Sequence, residues 1–163
     1  MLTLLAACQP ALNWREVRPP QSEAAALFPC KPEIEQRPAQ PGRQGAMGLA
    51  RCEAAGRRFA LSWAELPDPA QAAAALAAMP QALAAKLGQP LPQGQVLQVP
   101  GMTPLPEAFQ HRLAGPGGVT RVAVFARGGR VYQALMTADA DDPAAWDSFV
   151  GSLRVGAAAE AAR

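Results

Sequence analysis

Apolar positions recur along this chain with two periods, and the change from one to the other separates strands from helices. Phe59, Leu61 and Trp63 alternate with Arg58, Ala60 and Ser62, the period-two pattern of a half-buried strand over residues 57–64. Residues 46–53 precede it across the small-residue turn Ala54-Ala55-Gly56, so a β-hairpin is predicted there. A second hairpin is predicted where Val119 to Arg127 and Arg130 to Thr137 flank Gly128-Gly129, a two-residue turn that tolerates positive φ. Shorter strands are expected at Trp14 to Arg18, Glu33 to Arg37, Gln95 to Val99 and Ala108 to Leu113, separated by loops rich in proline and glycine. Phe28-Pro29-Cys30-Lys31-Pro32 reads as a turn, because its two prolines lack amide donors and do not suit a central strand.

Helical spacing begins at Asp68-Pro69, an N-cap acid followed by proline at the first helical position. Leu76, Met79, Leu83 and Leu87 form an apolar stripe, and Gly88 and Pro90 end it. Pro80 falls inside the stripe and predicts a kink, or a break into two helices, with the axis changing near Ala77. Asp141, Asp142 and Pro143 start a closing helix that carries Trp146, Phe149, Val150 and Leu153 on one face. Beyond it the Ala-rich tail, residues 155–163, is expected to fray. Strands, one long helix, more strands and a C-terminal helix, joined by local hairpins, predict an α+β sandwich with a mainly antiparallel sheet of about six to seven strands.

At 163 residues one compact domain is the default, placed here at residues 22–154. Five Phe, one Tyr and three Trp allow only a thin aromatic core. The 15 basic and 13 acidic residues interleave to a net charge of +2, which argues against a nucleic-acid partner held by an electrostatic patch.

Leu5-Ala6-Ala7-Cys8 resembles the lipobox of bacterial lipoproteins, in which small residues admit the signal peptidase and the Cys thiol carries a diacylglycerol. The resemblance implies lipidation of Cys8, a tether over residues 9–21, and a domain on the periplasmic side of a bacterial membrane, anchored in the envelope by its lipid. A full signal has a charged start and about 7–15 apolar residues. Residues 1–8 are shorter than that, so a truncated signal is expected. No other run approaches the roughly 20 apolar residues of a membrane-spanning helix. Setting Cys8 aside leaves Cys30 and Cys52, whose spacing fits no zinc or redox motif. A disulfide between them would close a loop of about 22 residues and add roughly 3 kcal/mol; two buried thiols are the alternative.

Phe28-Pro29-Cys30-Lys31-Pro32-Glu33 near the start and Trp146-Asp147-Ser148-Phe149-Val150-Gly151-Ser152-Leu153-Arg154 near the end resemble bacterial relatives of the PsbP-like fold. Those proteins open with a short strand and a proline turn and close with a terminal helix. The resemblance spans roughly residues 14 to 154 and implies the same sandwich. The chain is also similar to Gram-negative bacterial lipoproteins, a likeness that implies no reaction, since fold alone does not license a function.

Catalytic chemistry has few candidates. His111, the one histidine, lies in a predicted strand with no acid or thiol near it in sequence. Ser22, Ser62, Ser148 and Ser152 lie in no nucleophile elbow, and the glycines at 115–118 and 128–129 lack the spacing of a phosphate loop. No cofactor motif is present. Asp139, Asp141 and Asp142 lack the loop of a Ca²⁺ site and fit helix capping better, so no metal ligand is assigned. Trp14, Arg57 and Arg58 join His111 as candidate binding residues: Trp14 is an aromatic within the tether segment, and the arginines, like Arg127 and Arg130, cluster at a hairpin end where they could meet anionic groups. Two readings follow. The first is a non-enzymatic envelope lipoprotein that binds or supports another envelope component, protein or lipid. The alternative is a small-ligand-binding or hydrolytic periplasmic module using a cleft near His111.

Overall fold

The computed structural model describes residues 12–42 and 45–161. The lipobox and Cys8 lie outside the described residues. The chain builds β1 (Arg15–Val17), β2 (Ala24–Phe28), β3 (Glu33–Arg37), β4 (Met47–Ala54), β5 (Arg57–Glu65), α1 (Ala72–Lys86), β6 (Gln95–Val96), β7 (Phe109–Gly115), β8 (Gly118–Arg127), β9 (Arg130–Ala138), α2 (Pro143–Val150), β10 (Arg154–Val155) and α3 (Ala157–Glu160). Seven strands form one antiparallel sheet in the order β3-β4-β5-β9-β8-β7-β6, and β1-β2-β10 form a second, three-stranded sheet. The α+β sandwich expected from the hairpins is the architecture observed.

Both predicted hairpins are present, with Ala54 opposite Arg57 and Arg127 opposite Arg130. At the first, Ala55 and Gly56 both take positive φ, +50° and +73°. Such a turn matches the right-handed twist of its strands. On one face of the large sheet Phe59, Leu61, Trp63, Phe125, Tyr132 and Met136 are buried under β2 and α2. The rings of Phe28 and Phe149 meet edge to face at 5.1 Å, and those of Phe59 and Phe149 at 5.4 Å. Tyr132 lies flat on Phe125 at 4.9 Å and donates its hydroxyl to the Ser22 carbonyl at 2.7 Å, tying the sheet to the turn before β2. Burial pushes that hydroxyl up to about 12.

The opposite face carries α1. Of the two outcomes expected at Pro80, a kink or a break, the break does not occur: the chain stays in one long helix through Pro80. Proline removes one amide bond, and here Pro80 is itself buried, in line with Ala72, Leu76 and Ala84. Those residues, four apart, form the contact stripe, and three of them are small enough to let the helix approach the sheet. Met79 and Leu83 flank the stripe half-buried, and Leu87 is exposed. Asp68 caps the preceding 3-10 turn, Pro69–Gln71, by accepting from the Ala70 amide at 2.9 Å.

Three elements were not expected. β2 reads Ala-Ala-Ala-Leu-Phe and lacks alternation because it is almost wholly buried. β10 pairs with it through Arg154 and Val155, and α3, in the tail expected to fray, buries Ala159. The strand expected at residues 95–99 is shorter, although Leu97 still donates to the Ala108 carbonyl at 3.0 Å.

Cys30 and Cys52 form a disulfide, with Cα atoms 6.0 Å apart, that fastens the turn before β3 to β4. Replacing both with serine should lower stability by about 3 kcal/mol, read as an earlier urea midpoint. Ala55→Asn should raise stability by about 1 kcal/mol in the same assay, since alanine carries a steric cost in the left-handed region that asparagine largely avoids.

Candidate functional site

Register determines which side chains share a face, because directly opposed residues of an antiparallel pair point the same way. Arg37, Met47, Ala64 and Val131 form one row across the sheet; Glu35, Leu49, Ser62 and Gln133 form the next; Glu33, Arg51, Ala60 and Leu135 form a third. All three rows lie on the α1 side. The helix packs on β8 and β9, so among the described residues no helix covers the part of this face built by β3, β4 and β5. Met47, Leu49, Ala60, Ser62, Ala64 and Leu135 are accordingly half-buried.

A cleft of about 310 Å³ occupies the angle between this open face and α1. Met47, Leu49, Ser62, Ala64 and Val131 line its floor, Met79 of α1 its wall, and Glu35 and Arg37 its rim. A second, separate hollow of about 560 Å³ lies over Ala60 and Leu135 beside the disulfide, edged by Lys31, Glu33, Arg51, Glu53 and Arg58. Most of the rim charge is internally matched. Arg51 reaches Glu35 at 2.8 Å and Glu33 at 3.5 Å, and Arg58 reaches Glu53 at 3.1 Å. Exposed pairs of this kind contribute little stability; their effect here is to cancel charge at the rim. Arg37 forms no ion pair among the described residues. In the floor, the Ser62 hydroxyl donates to the Gln133 carbonyl at 3.4 Å. Such a surface can hold an apolar body against a partly charged edge.

The candidate residues are not brought together. Trp14 is half-buried, its ring edge-on to Phe59 at 5.7 Å, and it packs against the core beneath β2. Arg57 and Arg58 point to opposite faces: Arg57 pairs with Asp142 and donates to the Ala55 carbonyl at 2.7 Å, while Arg58 edges the second hollow. Arg127 donates to the Gly101 carbonyl at 2.9 Å, and Arg130 pairs with Glu65 and Glu23. His111 lies on β7, across α1 from the cleft, with Nδ1 2.9 Å from the Pro92 carbonyl. Among the described residues no carboxylate pairs with it.

In the acidic run, Asp142 caps α2 by accepting from the Ala145 amide at 3.0 Å. Asp141 accepts from Arg121 at 2.7 and 2.8 Å and from Arg112 at 2.7 Å. The Arg121 guanidinium, with Arg112 beside it, holds the Asp141 carboxyl well below the usual carboxylate range. Both oxygens are thus committed to arginine. No group of three or more His, Cys, Asp or Glu side chains is placed to hold a metal among the described residues.

The cleft residues Arg37, Met47, Leu49 and Met79 were not read as binding residues from sequence, Met79 being assigned to the packing stripe of the helix. One signal was available: behind Phe59, Leu61 and Trp63 the other face of β5 carries Ala60, Ser62 and Ala64. Small side chains facing away from the core leave a shallow floor.

No protein-family model and no curated protein matches this chain. A crystal structure from Bacteroides thetaiotaomicron VPI-5482, at 1.50 Å resolution, is similar at 7% identity and a TM-score of 0.44. The match covers 87% of this chain and 48% of that one, so the chain spans about half the length of that protein.

Asp141 supplies a pH dependence whose sign follows from its lowered value. Its contribution is present above the unfolded carboxylate value, near 4, and is lost as pH falls through the acid range. Asp141→Asn should cost about 2 kcal/mol at neutral pH, as for hydrogen bonds to a charged group. Urea midpoints measured down to about pH 2 should fall less steeply for the variant than for the parent chain.

Proposed function

We propose that this chain is a non-enzymatic binding module of the bacterial cell envelope, held at the periplasmic side of a membrane by a lipid on Cys8. The observation that carries the reading is the open face of β3, β4 and β5 beside α1, with its apolar floor and largely self-neutralised rim. Ligand sites are typically concave, mostly apolar and edged by a few polar groups. The disulfide supports export, because such bonds persist in oxidising compartments. The Leu5-Ala6-Ala7-Cys8 resemblance supplies the anchor, and residues 9–21 the tether, with β1 pairing part of that segment to β2. The open cleft and His111 stand on opposite sides of α1, which favours binding over a hydrolytic role for that histidine.

Intact-mass analysis tests the reading. The gene is expressed with its genomic sequence upstream of Met1, and the membrane fraction is analysed with and without reductant. The expected product begins at Cys8, carries acyl groups and gains two hydrogens on reduction. An unprocessed, reduced chain recovered from the cytosol would overturn the assignment.

A further inference from the structure

We infer that the cleft beside α1 holds a single-chain carboxylate, a fatty acid whose chain lies on the floor and whose head group meets Arg37. This rests on the binding role proposed above and names the ligand for it.

Three features of the site select that chemistry. The first is size: about 310 Å³ lies at the small end of ligand sites, which run from roughly 300 to 1,000 Å³. At about 30 Å³ for each water-sized group, the space takes about ten methylenes, too few for a two-chain lipid. Its lining comes second. Met47, Leu49 and Val131 in the floor and Met79 in the wall line the cleft, and a methionine on each side gives a lining that adapts to a flexible chain. Charge is the third feature. Glu35, the acid on this rim, is neutralised by Arg51 at 2.8 Å, whereas Arg37 carries a guanidinium with no ion pair among the described residues. A carboxylate supplies the acceptor that this guanidinium lacks.

The chain contains five methionines, which makes the test local. The full chain is labelled with ¹³C at its methionine methyl groups and titrated with decanoate below its micelle threshold, then with 1-decanol. Met47 and Met79 should shift and saturate, while Met136, buried in the core of the opposite face, and Met102, partly buried against that core, stay in place. Arg37→Gln should weaken decanoate about threefold or more and leave decanol unchanged, a loss within the range of a solvent-edge ion pair. Leu49→Glu should abolish both, with unmoved Met102 and Met136 signals showing that the fold survives. Absent shifts at Met47 and Met79, shifts confined to other methionines, or an Arg37→Gln effect equal for the acid and the alcohol each overturn the inference. If decanoate is ignored by a chain that is still recovered acylated from the envelope, the ligand assignment falls and the envelope reading stands. A cytosolic, unprocessed chain that binds decanoate at Met47 and Met79 gives the reverse.

Discussion

The structure depends on a mismatch of widths. Strands lie about 4.8 Å apart and a helix with its side chains is about 10–12 Å across, so one helix covers little more than two strands. Near the centre of the seven-stranded sheet, β8 is buried on both faces, and its neighbour β9 is buried on one face and, on the other, at Val131, so a cover is needed on each side. On the α1 side that cover is a single helix, placed on those two strands. β3, β4 and β5 extend beyond its reach, and the cleft is the step between helix and bare sheet.

On the other face the cover is wider. β2 and α2 lie side by side over Phe59, Tyr132 and Phe125, and their own contacts hold the layer together. Phe149 meets Phe28 of β2 as well as Phe59 of the large sheet. The Ser152 hydroxyl accepts from the Leu27 amide at 2.8 Å, and the Trp146 indole donates to Gln110 at 2.7 Å. Here aromatic packing and partly buried hydrogen bonds fix the arrangement; on the open face small residues and paired surface charges leave a shallow cleft. One side of the sheet is thus committed to packing, and part of the other stays open, which is the asymmetry the proposed binding role rests on.

Charge follows the same division. Arg121, Arg112 and Arg57 are committed to Asp141 and Asp142, where they anchor the start of α2. Arg51 and Arg58 cancel acids along the open face. A near-balanced composition therefore conceals a specific placement, in which the guanidinium left without an ion pair among the described residues at the cleft is that of Arg37.

Periodicity, turn chemistry and caps made most elements legible without coordinates. Alternation in Phe59, Leu61 and Trp63 named the inner face of β5, the glycine pair at 128–129 placed the central hairpin, and Asp68 and Asp142 marked helix starts, because each is a local signal carried by neighbouring residues. The pairing of Cys30 with Cys52 was legible as arithmetic. β2 was not, since a strand buried on both faces has no alternation to read; at Pro80 local pattern left a kink and a break as alternatives, and the folded chain keeps one helix. The cleft also lay beyond local pattern. Arg37, Met47, Leu49 and Met79 come from three separate elements, and only the register of β3, β4 and β5, together with where α1 comes to rest, decides that they meet.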